Sequence, residues 1–290
     1  MSKLTITIVN FNGGDYLINC LRSLDLAKDE AEITIYVIDN NSSDESIALA
    51  KKEFPKINYI LNKDNLGFGR AHNQALKLIK EGYVLILNPD TIVPKGVISR
   101  MVKFMENDPL IGASTCKVLF ADGREDLTAH RGFPTPWSSF KYYILKDDSD
   151  YHLTNRNLSS VHEVDALSGS FMLTRADILE KVGLFDEDYF MYAEDIDICF
   201  RIKEAGFKIM YVPDVFITHF KGVSSGLKNK TKDITSADLE TKKRSLNAFY
   251  ETMLIFYKKH MAKKYPFFVN WMVFLGINLK WVMAKRKLQV

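Results

Sequence analysis

Asparagine and aspartate collect at three points in this chain, and each point directly follows a short apolar run. Asn10-Phe11-Asn12 follows the run Leu4–Val9, and Asp39-Asn40-Asn41-Ser42-Ser43-Asp44 follows Ile33–Ile38. Asn88-Pro89-Asp90-Thr91 follows Tyr83–Leu87. Side chains of this kind suit a polar, hydroxylated ligand, since carboxylates and amides can hold a sugar edge, a ribose or a cation. One such loop alone reads as turn and cap chemistry, because Asn and Asp bond their own backbone readily. Three on one sheet edge call for a shared ligand. A fourth feature, Gly67-Phe68-Gly69, opens a helical pattern that presents Arg70, His72 and Asn73 on its first turn, where glycine would let a backbone approach a ligand closely. A lone Gly-x-Gly is weak evidence for a dinucleotide site. No GxGxxG follows the first run, and no GxxxxGK[ST] occurs, which excludes a P-loop.

These residues need a scaffold that brings strand ends together. Strand-like runs at 4–9, 33–38, 58–61, 83–87 and 111–118 alternate with helical patterns, one of them carrying Leu17, Cys20, Leu21 and Leu24 on one face. Ser42 and Glu45 have capping-box spacing for the helix that ends near Phe54. Further helices are expected from about 69 to 80 and from about 94 to 106. The alternation specifies an α/β fold with a mostly parallel sheet covered by helices on both faces, a fold that binds ligands at the carboxyl ends of its strands. Residues 121–160 break the rhythm with Pro134, Pro136, Trp137 and the run Lys146–Asp150, as functional or mobile insertions do. Strands then resume at 161–167 and 169–174, a helix runs from about Glu194 to Ala205 and stops at Gly206, and two short strands follow at 208–212 and 215–219.

Taken in order, Val9-Asn10-Phe11-Asn12, Val37 to Asp44, Asn65-Leu66-Gly67-Phe68-Gly69 with Asn73, Leu87-Asn88-Pro89-Asp90, Gly169, Phe190 to Asp197 and His219 resemble glycosyltransferase family 2. More narrowly, they resemble its bacterial rhamnosyltransferase-like branch. The likeness covers roughly residues 4–225. It implies a GT-A (Rossmann-like) fold, a nucleotide-diphosphate sugar donor, inversion at the anomeric carbon and a divalent cation, Mg²⁺ or Mn²⁺. By position it implies a donor site of Asn10, Asn12, Asp39, Asn41, Asn65, Gly67, Gly69, Asn73, Asn88 and Asp90, with Asp39 at the base. Asp90 stands for the last carboxylate of the family's Asp-x-Asp metal element, and His219 for the histidine that completes the site in some members. The sequence departs at Asn88, which offers a neutral oxygen where the family has a carboxylate. Gly169 and Glu194 fall on the acceptor side.

Inverting transfer needs one carboxylate to take the acceptor's proton, and the resemblance assigns that role to Asp195. Without it, Glu194, Asp195 and Asp197 would simply suit the dipole at a helix N-terminus. The Asn-Pro-Asp form leans towards dTDP-rhamnose as donor, with a UDP-sugar as the alternative and a saccharide or lipid-linked saccharide as acceptor.

Composition sets the outer bounds. The chain has 290 residues, 47% hydrophobic and 26% charged, as ordinary globular proteins have. Cys20, Cys116 and Cys199 lack metal or disulfide spacing and read as buried thiols in a reducing compartment. The N-terminal MSKLTITIVNF has no signal-peptide core, which points to the cytoplasm. The net charge of +3 hides an asymmetry: residues 226–290 hold 14 of the 39 Lys and Arg but 4 of the 36 Asp and Glu, a net of +10 against −7 for residues 1–225. The expected division is therefore a catalytic domain over 1–225 and a basic, aromatic-rich helical tail over 226–290. Within that tail, 265–284 (YPFFVNWMVFLGINLKWVMA) is interrupted by Asn270, Asn278 and Lys280 and flanked on both sides by lysines. This pattern suits a helix lying on an anionic membrane, at the inner face of the cell membrane, or else one packed on the catalytic domain. A nucleic-acid partner is disfavoured, because the aromatics are not interleaved with basic residues. Two other functions compete. A sugar nucleotidyltransferase should carry a basic residue in its first phosphate loop, and Asn10–Gly14 has none. A non-catalytic membrane scaffold would leave the carboxylates without work.

Overall fold

The computed structural model describes residues 1–220 and 239–288, so the expected domain boundary at 225/226 lies outside the described residues. In chain order the elements are β1 (Lys3–Asn10), α1 (Gly14–Leu26), β2 (Glu32–Asp39), α2 (Ser46–Glu53), β3 (Asn58–Leu61), α3 (Phe68–Leu76), β4 (Tyr83–Leu87), β5 (Thr91–Ile92), α4 (Val97–Glu106) and β6 (Ile111–Leu119). They continue through β7 (His130–Arg131), α5 (Pro136–Phe140), β8 (His162–Glu163), β9 (Ala166–Leu167), β10 (Phe171–Arg175), α6 (Ala176–Val182), α7 (Glu194–Glu204), β11 (Lys208–His219), α8 (Leu239–Phe256) and α9 (Phe267–Leu288).

Among the described residues a nine-stranded sheet has the order β3-β2-β1-β4-β10-β6-β11-β5, with β8 added beside β11, and β7 and β9 form a separate pair. The pairs β1–β2, β1–β4, β2–β3 and β6–β11 are parallel, whereas β10 is antiparallel to both β4 and β6. One edge of the sheet therefore collects the ends of β1, β2, β4, β6 and β11 together with the start of β10. The apolar alternation explains the layers. Leu4, Ile6 and Ile8 pack with Leu17, Leu21 and Leu24 of α1 and Met101 of α4 on one face, and Val84, Ile86 and Met172 pack with Ile198 and Ile202 of α7 on the other. All three cysteines are buried and unpaired.

Several local expectations need correcting. The Ser42/Glu45 capping box does not form. Ser42 instead donates to Asp39 Oδ1 at 2.6 Å, and Asp44 accepts from the Ser46 amide at 3.2 Å, because the helix starts at Ser46. Helix α3 ends at Leu76, four residues early, and α4 begins at Val97 after the left-handed Gly96. The strand expected over 161–167 is two short pairs separated by Val164 and Asp165. The two strands expected at 208–219 are one strand, whose register against β6 shifts between Val212 and Phe216. Helix α7 stops as expected. Gly206 has φ of 88°, and the Gly206 and Phe207 amides donate back to Lys203 and Ile202, the paired bonds of a Schellman motif.

The basic tail is not a separate appendage. After α8 the chain forms a π-helical turn, Tyr257–Met261, and Phe256, Tyr257 and Met261 are buried in the core cluster that also contains Phe200 and Tyr189. Burying such side chains stabilises by about 1.5–3 kcal/mol each, against at most about 1 kcal/mol for an exposed pair such as Lys264–Glu204. Apolar packing therefore holds this segment. Asp197, 1% exposed, adds a polar anchor: its carboxylate pairs with Arg201 at 2.7 Å and with His260 of the turn at 2.6 Å. Burial alone would raise the Asp197 pKa, but His260 and Arg201 outweigh it and bring the carboxyl below its ordinary value.

Helix α9 behaves differently. Asn270 receives the Tyr257 hydroxyl at 2.6 Å, and Trp281 Nε1 donates to Asn247 at 3.0 Å, so one side is fastened to α8 and the turn. Phe268, Trp271, Met272, Leu275, Leu279 and Met283 recur at helical spacing and are exposed. Among the described residues, 267–287 is the one helix long and apolar enough to cross a membrane, with a mean hydropathy of 1.4.

Replacing Asp197 with Ala leaves His260 and Arg201 without their buried carboxylate, and breaking such a pair costs about 3–5 kcal/mol. The unfolding free energy of Asp197→Ala from urea titration is expected to fall by that amount. A loss below about 1 kcal/mol would mean that the anchor contributes little.

Candidate active site

At the carboxyl edge, the ends of β1 and β2 are stitched together by side chains. The Asn10 amide, fully buried, donates to Asp39 Oδ1 at 2.9 Å and reaches the Ser42 and Ser46 hydroxyls at 3.0 Å. Asp39 also accepts from the Ser42 amide at 3.0 Å, so much of its acceptor capacity goes into shaping the 39–46 loop. Asn12 and Asn41 take left-handed φ values of 53° and 65°, which Asn tolerates, and Asn12 Oδ1 accepts from the Ser43 amide at 2.8 Å. Asn41 is exposed on the rim. Asn40 was missed by sequence reasoning. Buried at 2% exposure, it donates to the Gly67 carbonyl at 2.9 Å and to Asn65 at 3.3 Å, and Asn65 caps the Gly67 amide at 2.9 Å. The β2 edge and the β3–α3 loop are thereby fixed to each other.

The Gly67–Asn73 stretch opens α3 and packs closely against the 185–190 segment. Gly67 has φ of 83°, and a Cβ there would collide with the Phe190 carbonyl, which also accepts from the Phe68 amide at 2.9 Å. A Cβ on Gly69 would meet Phe185 at 3.0 Å, and one on Gly169 would meet the Phe68 ring at 2.7 Å. These glycines admit the 185–190 segment and an aromatic ring, so the close approach is made by the protein itself. Asn73 is locked between the Phe185 amide and carbonyl, at 3.1 and 2.8 Å, and bonds Glu187, so its amide is committed to packing. His72 is buried beside Thr7, and burial drives its pKa down to about 3, which leaves it neutral. Arg70 pairs with Glu187 at 3.3 Å.

Beyond β4, Asn88, Asp90 and His219 converge. Short β5 pairs antiparallel with the end of β11, setting His219 opposite Thr91, and the Phe220 amide donates to the Asp90 carbonyl at 2.9 Å. His219 Nε2 lies 3.1 Å from Asp90 Oδ1 and 3.3 Å from Asn88 Nδ2. Two ligand atoms of a small divalent ion, bonded at about 2.1 Å and at right angles, sit about 3.0 Å apart, so the Asp90–His219 spacing and N/O chemistry fit such an ion. Among the described residues no group of three or more His, Cys, Asp or Glu side chains is arranged to hold a metal. The protein's share would be small, as is usual where substrate phosphates supply the other oxygens.

The third part of the site is the start of α7. Tyr192 and Ala193 both adopt left-handed φ, 74° and 64°, an uncommon strained entry that sets the direction of Glu194 and Asp195. Asp195, 13% exposed at its side chain, pairs with Arg131 of β7 at 3.3 Å. Arg131 in turn contacts the Tyr151 hydroxyl at 3.5 Å. Glu194 is 6% exposed with Oε2 unpartnered, and burial, reinforced by the charge of Asp195, pushes its pKa up to about 8. At neutral pH Glu194 thus keeps its proton while Asp195 sits against a guanidinium. Asp197 faces elsewhere, into the Arg201–His260 anchor. Residues 166–170 connect this part to the rest: β9 pairs with β7, and the Asn88 amide donates to the Ser170 carbonyl at 3.3 Å. Arg131 was also missed by sequence reasoning. It lies in the irregular 121–160 segment, where no periodicity marks it.

The geometry agrees with the comparisons to known proteins. The family model described as Glycosyltransferase like family 2 matches residues 2–234. Rhamnosyltransferase WbbL of Escherichia coli K12 is 31% identical over 226 residues, covering 74% of this chain and 82% of that protein. The N-acetylglucosaminyl-diphospho-decaprenol L-rhamnosyltransferase of Mycobacterium tuberculosis is 29% identical, covering 77% of this chain and 78% of its own length. Among solved structures, GalNAc-T7 with UDP, GalNAc and Mn²⁺ superposes with a TM-score of 0.58 at 17% identity, over 89% of this chain and 50% of that one. Residues 1–349 of Staphylococcus aureus TarS superpose with a TM-score of 0.53 at 16% identity, over 89% of this chain and 72% of that one. With its sheet edge, its Asp90–His219 pair and its buried carboxylates at α7, this chain belongs to glycosyltransferase family 2, in the rhamnosyltransferase-like branch, and has a GT-A fold.

Proposed function

We propose that the enzyme transfers rhamnose, with inversion, from dTDP-rhamnose to a hydroxyl of a lipid-linked saccharide at the inner face of the cell membrane. The observation that carries this reading is the division of labour at one sheet edge, with Asp90 and His219 at one end and Asp195 held by Arg131 at the other. The rhamnosyltransferase names of the two relatives support the sugar, and the decaprenol in one of them supports a lipid-linked acceptor. The exposed apolar stripe of α9 and its lysine flanks support membrane attachment.

In this reading the 39–46 loop receives the nucleotide, with Asn41 and the remaining acceptor capacity of Asp39 facing the base and ribose. Asp90 and His219, with Asn88, would hold a divalent cation, which supplies positive charge to the departing diphosphate when bound. Asp195 takes the acceptor hydroxyl's proton as the oxygen attacks the anomeric carbon from the face opposite the leaving group. Arg131 keeps that carboxylate in one orientation. Glu194, protonated at neutral pH, cannot serve as base and instead offers a hydrogen-bond donor.

Excess chelator is expected to abolish transfer, with Mg²⁺ or Mn²⁺ restoring it, and Asp90→Ala should lose donor affinity as well as rate. Full activity in chelator would assign the leaving group to basic side chains.

Under single-turnover conditions Asp195→Asn should slow transfer by about 10²–10⁴-fold with donor binding nearly unchanged. Near-normal turnover in that variant, combined with a large loss in Glu194→Gln, would exchange their roles.

The elevated Glu194 pKa also links to folding. Its folded value, about 8, lies above the ordinary 4.5, so the associated stability is fully present below pH 4.5 and is lost as the pH rises through 8. Glu194→Gln cannot ionise. Its stability relative to the parent should therefore increase between pH 5 and pH 8.5 in urea titrations, and a constant difference would contradict a buried, protonated Glu194.

A further inference from the structure

The insertion between β7 and β8 has an outward face that catalysis does not use. Trp137, Phe140, Ile144 and Leu145 are 62, 45, 63 and 55% exposed, all within α5 and the π-helical turn Lys141–Leu145 that continues it. Single exposed apolar residues are normal, but four large ones within nine positions are a patch. The segment carrying them is firmly built. Pro136 opens α5, the Ser138 amide is capped by the Thr135 hydroxyl at 3.1 Å, and the Ser138 hydroxyl returns to the Phe133 carbonyl at 2.8 Å. The rings of Trp137 and Phe140 stack at 5.7 Å. The aromatics are therefore held outward by structure.

The patch adjoins α9. Lys280 Nζ lies 3.2 Å from the centre of the Tyr143 ring, joining the π-helical turn to the helix whose own apolar stripe is exposed. Charge at the junction is mixed: Lys146 is exposed with Lys280 near it, Asp147 and Asp150 share Lys141 at 2.9 and 3.0 Å, and Asp148 pairs with His152 at 3.3 Å. Apolar side chains and an indole beside α9, which carries Lys280, Lys285, Arg286 and Lys287, are the composition of a surface that enters the headgroup region of an anionic bilayer. Inward, the same turn leads to the chemistry. The Tyr142 ring is 5.5 Å from Tyr151, whose hydroxyl contacts Arg131, the partner of Asp195.

We infer that the outward face of residues 136–145 is a second membrane-inserting surface, contiguous with α9, that seats the acceptor side of the site on an anionic phospholipid bilayer. The inference rests on the reading that α9 lies on the membrane, and it adds where the mouth of the site sits relative to the lipid. With two contacts the enzyme is fixed in orientation as well as attached, so an acceptor anchored in the bilayer reaches Asp195 without leaving the lipid.

The test compares the full chain with its Trp137→Phe variant, so that the difference in emission reports Trp137 while Trp281 keeps its bond to Asn247. Mixed with phosphatidylglycerol–phosphatidylcholine vesicles carrying brominated acyl chains, Trp137 emission should shift to the blue and be quenched. Trp137→Ser combined with Ile144→Ser in the parent should lower vesicle affinity by about tenfold or more, with an unchanged circular dichroism spectrum. Protein that pellets with vesicles while Trp137 stays unquenched, or that binds equally well with both serines, overturns the inference. So does a Trp137 response to soluble oligosaccharides but not to vesicles, which would make the patch a sugar-stacking platform. Metal-stimulated hydrolysis of dTDP-rhamnose, measured on the same preparation, reports on the transferase reading separately, because a soluble donor needs no bilayer.

Discussion

Between β4 and β6 the sheet is completed by β10, which runs opposite to both neighbours. A parallel strand in that position would start at the far edge, and its preceding loop would open away from the ends of β1, β2 and β4. Because β10 is reversed, residues 166–170 arrive at the same edge as Asn10, Asp39 and Asn88. Through the β7–β9 pair they bring Arg131, and with it Asp195, to that edge. The site is thus a consequence of an antiparallel strand set between two parallel runs, β3-β2-β1-β4 and β6-β11. It lies where the strand direction changes, as ligand sites in open α/β sheets do.

Around that edge the protein divides negative charge with care. Two carboxylates at adjacent positions in a poorly solvated place cannot both ionise cheaply. The structure resolves the conflict by environment. Glu194 is buried without a cation at its second oxygen, whereas Asp195 meets a guanidinium. Two residues further on, Asp197 has Arg201 and His260 and is drawn into the framework. Three acidic side chains within one helical turn therefore have three separate surroundings. Helix spacing alone requires only that Asp197 point away from its neighbours. The assignment of the other two depends on Arg131, which comes from 64 residues upstream.

This explains how much could be read in advance. Strand ends were legible because apolar runs stop where Asn and Asp begin, and burial imposes that pattern on a parallel sheet. The Asp90–His219 meeting was legible only by resemblance, since a two-residue strand, β5, creates it, and two residues carry no periodicity. Arg131 left no signal, as a single arginine in an irregular stretch has no face to betray it. At Gly67, Gly69 and Asn73, where small and polar residues suggested a ligand, the structure adds a packing role. Their spacing answers a tertiary demand, the passage of residues 185–190 across α3, which sequence patterns do not reveal. The 208–219 strand was split in reading because Pro213 and Asp214 interrupt the apolar alternation. The structure absorbs them as an irregularity in register and pairs Asp214 with Arg100 at 2.7 Å.

The C-terminal region brings the same competition between packing and solvent to the molecular scale. Charge asymmetry suggested a tail that meets an anionic surface or packs on the catalytic domain, and the turn after α8 is buried in the core and anchored to α7. The helix that carries Asp195 is thereby braced from behind by the segment that leads to α9. Polar positions in the apolar 265–284 run then acquire a purpose. Asn270 and Trp281 use their hydrogen bonds to fix α9 against α8, and this fastening determines which face of α9 remains outward. A helix free to rotate would turn its apolar stripe inward, where burial is favourable by about 25 cal/mol for each Å² removed from water. Held as it is, the stripe stays available. Contiguous exposed apolar surface of this kind is what interaction sites on folded proteins have in common.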